Sequence, residues 1–475
     1  MDKIAVIGGL GTLSGGDLFF KLLKNKRVLA NQLDYNFVFE QRAYSQINKP
    51  LYQEEDIRSR KFYAYTVCKN FEETGVTKIL MPCFASHSFL DELQKEIAVP
   101  IVNIYQSLSI YLSSKVKKGS RIGILASDFV KENKSIHDYF CDYELVFPLE
   151  QLHLMESVYG ESGIKNGFLE GLPLEHIYHA CLDLHSQGCE IIVPCITELS
   201  LIVDQLWKRG VNIIDVNQIY VDYSLESDDG IPRKQFKLGI LGGVGPSATV
   251  DFMNKVIMNT PAKKDQDHIK MVVEQNPQVP DRTANLILRE TDPTIAMFST
   301  CKRLEAEGAD AIAIPCNTAH AFVERIQEHL KIPIVNMLTT TADHIFREFG
   351  KDIKIGLLAT TGTINSEVYL DVLTPYGFQV FVPDQQRQDD VMESIYGNYG
   401  VKAGFTNGQS KDSIDRAADF LVDQGSDVII LGCTELPLLF EQESHIKKNG
   451  RTIILVDPTL ILAKKIVDIS KAPID

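Results

Sequence analysis

Short apolar runs separated by longer amphipathic stretches set the pattern of this chain. Ile4 to Ile7, Ile79 to Met81, Ile122 to Leu125 and Ile191 to Val193 are near-continuous apolar runs. Such runs mark strands buried on both faces of a parallel sheet. Between them, Phe62 to Thr74 and His176 to Gln187 carry apolar residues at helical spacing and are predicted to be crossover helices. Strand and helix in alternation predict an α/β fold with open parallel sheets.

The pattern then repeats. Lys3-Ile4-Ala5-Val6-Ile7-Gly8-Gly9-Leu10-Gly11 returns as Lys237-Leu238-Gly239-Ile240-Leu241-Gly242-Gly243-Val244-Gly245, 234 positions later. Pro82-Cys83-Phe84-Ala85-Ser86-His87 returns as Pro315-Cys316-Asn317-Thr318-Ala319-His320, at an offset of 233. Val99 to Asn103 matches Ile332 to Asn336, and Arg121 to Ala126 matches Lys354 to Ala359, at the same offset. Val158-Tyr159-Gly160 and Ile164 to Gly167 match Ile395-Tyr396-Gly397 and Val401 to Gly404, at 237. Offsets that drift by so few residues mean duplication. The polar, Gly- and Pro-containing stretch Glu226 to Pro232 reads as the linker. The expected organisation is therefore a tandem repeat, with one copy over 1–232 and a second over 233–475.

A finer symmetry lies inside each copy. A strand ends at a cysteine twice over: at Cys83 and Cys195, then at Cys316 and Cys433. Each copy is expected to have two Rossmann-like lobes, with ligand chemistry at the carboxyl ends of strands in the cleft between them.

Composition narrows the function. With 44% apolar and 23% charged residues, the 475-residue chain can build sizeable cores. A net charge of -15 argues against a nucleic-acid partner, which needs a positive surface. It leaves room for a small acidic substrate held by a locally cationic site. No apolar run reaches the length of a membrane span, and Met1 leads directly into a strand pattern, so a cytoplasmic location is expected. Nine cysteines without a CxxC pair point to free thiols, not to disulfides or structural zinc.

Two thiols stand out from that background. Cys316 and Cys433 occupy matched positions in the two sub-repeats of the second copy, and polar residues follow each: Asn317-Thr318 and Thr434-Glu435. Two thiols facing one another across a cleft can take a proton from one face of a carbon and return one to the other. That is two-base racemisation, and it needs no metal. Asn276 to Thr283 is a proline-stiffened loop presenting Arg282, a side chain suited to gripping a carboxylate. Lys402 follows Tyr399-Gly400-Val401 at a predicted helix start. Gly243-Val244-Gly245-Pro246-Ser247-Ala248 loosely fits a dinucleotide turn but lacks an acidic strand-end partner about 20 residues on. Ala359 to Thr363 is a second polar turn, able to meet an anion through backbone N–H groups.

Together these motifs resemble the cofactor-independent aspartate/glutamate racemase family. The matching segments are Leu241 to Pro246, Asn276 to Thr283, Pro315 to Thr318, Ala359 to Thr363, Ile395 to Gly404 and Gly432 to Leu436. The resemblance implies that Cys316 and Cys433 are the paired acid and base. It implies that Arg282 and Lys402 hold the substrate's side-chain carboxylate. Asn317, Thr318, Thr363 and Thr434 would line the α-carboxylate and amino positions. It further implies an acidic amino-acid substrate, aspartate first, with no cofactor and no metal. Similar subunits of that family pair as dimers, so the fused repeat reads as a covalent pseudo-dimer, open to further self-association. The alternatives are a racemase of glutamate or another amino acid, isomerisation of a diacid, or a non-catalytic amino-acid-binding protein.

The first copy departs from the pattern at the chemistry. Phe84 and Ala85 stand where the second copy has Asn and Thr, and Asp128-Phe129-Val130 replaces Thr361-Gly362-Thr363. The loop Glu40 to Pro50 lacks the Pro-Asp-Arg sequence, leaving Arg42 and Lys49 as candidate cations. Aligning Thr197-Glu198 on Thr434-Glu435 sets Ile196 against Cys433 and Cys195 against Gly432. A one-residue slip turns a strand side chain to the opposite face. The first copy is therefore expected to be catalytically dead, although Lys165 and His87 remain as potential ligand contacts.

Overall fold

The computed structural model describes residues 2–42, 44, 49–51, 54–227, 235–440, 445–448 and 450–471. Residues 228–232 of the expected linker, and 43 and 45–48 of the Glu40–Pro50 loop, lie outside the described residues. The chain divides into two compact units, 1–234 and 235–475.

The first unit holds strands β1 (Asp2–Ile7), β2 (Tyr35–Glu40), β3 (Lys78–Leu80), β4 (Arg121–Ala126), β5 (Glu144–Val146) and β6 (Ile191–Cys195). They form two parallel sheets, ordered β2-β1-β3 and β5-β4-β6. Single bridges, Ile79 to Ile101 and Ile192 to Ile213, continue each sheet by one more segment. The apolar runs became strands because both of their faces are covered: Ile4 to Ile7 and Ile122 to Ala126 are buried throughout. Each such aliphatic side chain contributes roughly 1.5–3 kcal/mol. The expected crossover helices lie in Glu54–Glu73 and Leu172–Ser186.

The second unit repeats the plan with β7 (Lys237–Gly242), β8 (Lys270–Gln275), β9 (Ala311–Ala313), β10 (Lys354–Leu358), β11 (Gln379–Phe381), β12 (Val428–Leu431), β13 (His445–Lys448) and β14 (Arg451–Val456). Its sheets run β8-β7-β9 and β11-β10-β12-β14-β13. All pairings are parallel except β13 with β14. This antiparallel edge was not foreseen; its register runs from His445 with Ile454 to Lys448 with Arg451.

In every lobe the first strand has its successor on one side and the following strand on the other. The topology therefore reverses beside β1, β4, β7 and β10. A crevice opens at the carboxyl ends of strands at such a switch point. Each unit has two of them, one per lobe.

Candidate active site

Four strand ends converge on one cleft in the second unit. β7 delivers Val244, β9 delivers Cys316, Asn317 and Thr318, β10 delivers Thr360, and β12 delivers Cys433, Thr434 and Glu435. Arg282, Thr283, Tyr396 and Lys402 complete the lining of a hollow of about 270 Å³. Among the sequence-predicted residues, both thiols, both cations, Asn317, Thr318 and Thr434 thus meet in one place. A larger hollow in the same unit, around Asp251, His344 and Lys464, contains neither thiol.

Thr363 does not line the cleft, contrary to expectation. It is fully buried, and its hydroxyl contacts Thr318 Oγ1 at 2.7 Å and Thr360 Oγ1 at 3.0 Å. It braces the residues that do. The turn at Thr361 to Thr363 is likewise less open to an anion than its sequence implied. Thr363 N donates to Thr360 Oγ1, and Thr361 N donates to Met392 Sδ. The turn has become the start of a short helix, Thr361–Asn365, whose capping groups use those donors.

Arg282 also differs from the expected two-bond grip. Its Nη1 donates to the carbonyls of Val279 and Pro280, and its Nη2 donates to Val244 O at 3.0 Å. Only Nε, buried, has no partner. The guanidinium lines the cleft beside Cys316, and its charge acts on that thiol. The short loop Val279 to Asp281 folds its own carbonyls around the side chain, so the cation is fixed beside the first thiol.

Lys402 is held by side chains and not by backbone carbonyls. It lies over the Tyr396 ring at 5.0 Å and pairs with Glu435 Oε1 at 3.2 Å. Burial opposes the ammonium, yet the Glu435 charge holds it above the usual lysine range. Glu435 Oε2 in turn accepts from the Cys433 thiol at 3.1 Å and from Thr434 Oγ1 at 3.3 Å. Burial first, and then Glu435, push the Cys433 thiol well above its ordinary value. The two thiols therefore sit in opposite fields, Cys316 by a cation and Cys433 by a carboxylate.

Asn317 is buried, accepts from Tyr369 Oη at 2.6 Å, and leaves its Nδ2 without a partner. An unpaired buried donor is costly and marks a place for an acceptor. Gly245 explains the glycine turn. Its φ of +136° suits glycine, and a Cβ there would stand 2.5 Å from Glu435 Oε1. The turn makes room for a carboxylate of the protein itself.

Glu435, Tyr396, Thr283 and Thr360 were not picked out from the sequence as site residues. The repeat carried a signal for two of them: Tyr159 and Glu198 stand at the matched positions of the first copy.

The matched cleft of the first unit shows what the departures did. Ile196 packs with Leu125, Leu154, Val158 and Leu199, as Cys433 packs with the aligned Leu358, Val391, Ile395 and Leu436. Cys195 instead joins the cluster around Cys83 and Tyr105. His87 is structural. Its ring nitrogens contact Cys83 O at 3.0 Å and Ile104 N at 3.2 Å, as His320 contacts Cys316 O and Met337 N. Lys165 pairs with Glu198. Arg42 and Lys49 are exposed, and neither lines the cleft.

An α/β duplication with paired strand-end thiols defines a cysteine-bearing racemase-like protein. The Asp/Glu/hydantoin racemase family model matches twice, over residues 8–223 and 241–466, and the chain belongs to that family. The broad specificity amino-acid racemase RacX of Bacillus subtilis is 29% identical over 236 residues, 48% of this chain and 96% of that protein. The glutamate racemase of Pediococcus pentosaceus is 29% identical over 237 residues, 48% of this chain and 78% of that protein. The solved aspartate racemase of Picrophilus torridus is 30% identical, covering 50% of this chain and 94% of its own, with a TM-score of 0.43. Among the described residues no helix is long and apolar enough to cross a membrane.

Proposed function

We propose that the second unit, 233–475, racemises an acidic amino acid, aspartate first, by two-base proton transfer between Cys316 and Cys433 without a cofactor. The observation carrying this reading is that both thiols line one cleft, with Arg282 and Lys402 beside them. The Cys316 thiolate takes the α-proton from one face. The Cys433 thiol, hydrogen-bonded to Glu435, gives its proton to the opposite face. The reverse direction exchanges the roles. The carbanion places charge on the α-carboxylate, and the unpaired Asn317 Nδ2 and the Thr318 hydroxyl are donors preorganised for it. Lys402 takes the side-chain carboxylate once its bond to Glu435 loosens.

A second reading has its own observation. Glu435 already neutralises Lys402, so the cleft also suits a neutral amino acid whose ammonium meets Glu435. The broad specificity of the Bacillus relative agrees with that reading.

The first unit, 1–232, is on this view the inactive half of a fused pair. It keeps Cys83 and has Ile196 in the place of the second thiol.

Solvent deuterium exchange tests the reading. Aspartate, glutamate and alanine are incubated with the protein in D2O, and α-deuteration and optical inversion are followed. Aspartate should exchange and invert, and Cys316→Ser and Cys433→Ser should each stop inversion. No exchange into any of the three would favour a binding protein. Faster alanine than aspartate turnover would favour the second reading.

A further inference from the structure

Relative to its twin, the cleft of the first unit has Phe84 and Ala85 in place of Asn317 and Thr318 and Ile196 in place of Cys433, with Cys195 bordering it one position along, yet it is not a relic. It has gained a cation. Arg60, from the helix Glu54–Glu73, lines the hollow at 6% exposure. Its Nη1 donates to Cys83 Sγ at 3.3 Å, and its Nε has no hydrogen-bond partner. A guanidinium thus stands beside the strand-end thiol, as Arg282 stands beside Cys316, but it comes from another element. The offset of 233 aligns Arg282 with the exposed Lys49, and aligns Arg60 with Pro293. The guanidinium was therefore not carried over from the matching position.

The guanidinium also lies over the Tyr44 ring at 5.8 Å, but no carboxylate among the described residues pairs with it, and a buried guanidinium is expensive unless an anion meets it. The other cation of the cleft, Lys165, is already paired with Glu198. The vacant charge is thus a single positive one. Around it one patch of the lining has turned apolar, while Ser127, Tyr159, Thr197 and Glu198 keep the rest polar. Phe84, Ala85, Val130 and Ile196 stand where the second unit has Asn317, Thr318, Thr363 and Cys433. The hollow, about 350 Å³, is somewhat larger than the cleft of about 270 Å³ in the second unit and has room for a short acid. One cation without a carboxylate partner among the described residues, beside the apolar patch of Phe84, Ala85, Val130 and Ile196, fits a short chain with one carboxylate. Ile196 stands at the position of the second thiol, and Cys195, which also borders the hollow, is 1% exposed with its thiol pushed far up by burial.

We propose that the cleft of the first unit binds a small aliphatic monocarboxylate, held by Arg60 and not turned over. This site is distinct from the cleft of the second unit and stands whether or not that cleft racemises aspartate.

The test uses the full chain and 3-methylbutanoate as probe, followed by ligand-detected NMR titration. Saturable binding is expected, with a Kd of about 1 mM or tighter. Arg60→Gln should weaken it at least about tenfold, the scale of one charge-assisted hydrogen bond. Arg60→Lys should restore part of it, and a thermal melt of each variant reports folding. The Cys316→Ser/Cys433→Ser double variant should bind the probe as the parent does. Absence of saturable binding by the parent would overturn the proposal. So would unchanged binding in a folded Arg60→Gln protein, or binding lost in the double variant. Aspartate should compete poorly; stronger binding of aspartate at the Arg60-dependent site would overturn the apolar assignment.

Discussion

The thiol of Cys433 donates to the Glu435 carboxylate at 3.1 Å, and the other oxygen of that carboxylate holds Lys402 at 3.2 Å. A thiol, a carboxylate and an ammonium are thus linked in one chain within the cleft. The linkage keeps Cys433 protonated in the free protein while Cys316 lies beside Arg282. The asymmetry of the two thiols is a property of their neighbours, since each follows an equivalent strand end.

Glu435→Gln removes the anion that, after burial, raises the Cys433 thiol. Lys402 remains and acts in the same direction. The pH at which Cys433 becomes a thiolate should fall by at least about one unit. Iodoacetamide labelling of Cys433 against pH, in a Cys316→Ser background, measures it by mass spectrometry. An unmoved midpoint would mean that Glu435 does not control the thiol.

Gly245→Ala should destabilise the second unit by about 1–3 kcal/mol, from backbone strain and from displacing Glu435. Gly308 has a φ of +75° with nothing within 4 Å of a Cβ, so Gly308→Ala should cost about 1 kcal/mol. Urea unfolding of both variants gives the comparison. Equal losses would show that Glu435 yields freely.

His320 is buried, and burial lowers its pKa to about 4 from an ordinary 6.5. The folded state therefore binds its proton more weakly than the unfolded chain does. Its contribution is fully present above pH 6.5, declines as pH falls, and is lost below about pH 4. The loss amounts to about 3 kcal/mol. Urea midpoints at pH 7 and pH 4.5 should differ less in His320→Gln than in the parent. A difference as large as the parent's would assign the acid sensitivity elsewhere.

Cys83→Ser should leave amino-acid turnover unchanged, whereas Cys316→Ser should remove it by a factor of at least about 10³. Ile196→Cys in the Cys316→Ser background should not restore inversion, because Phe84 and Ala85 still deny the α-carboxylate its donors. Chiral chromatography of aspartate decides both. Turnover lost with Cys83 would move the chemistry to the first unit.

Much of this was legible in the chain itself. The duplication, the buried parallel strands and the cysteines at strand ends follow from local pattern. Strand period and strand termination depend on near neighbours in sequence. The register slip at Cys195 was legible too, because Thr197-Glu198 fixes the alignment, and the packing of Ile196 follows it. The hairpin at β13 and β14 was not, since no repeat of it exists in the first copy.

What the sequence by itself determined is which residues stand at strand ends, and so which could meet in a cleft. Only the tertiary structure decided how their charges are matched. Arg282 gives its fork to backbone carbonyls, Thr363 retreats behind Thr318, Glu435 enters the cleft against Gly245, and Arg60 arrives from a helix with no counterpart residue. Each is a question of which donor meets which acceptor once water is excluded. Burial and hydrogen-bond pairing are set by distance in space, between residues separated by up to about two hundred positions in the chain, and no local pattern encodes them.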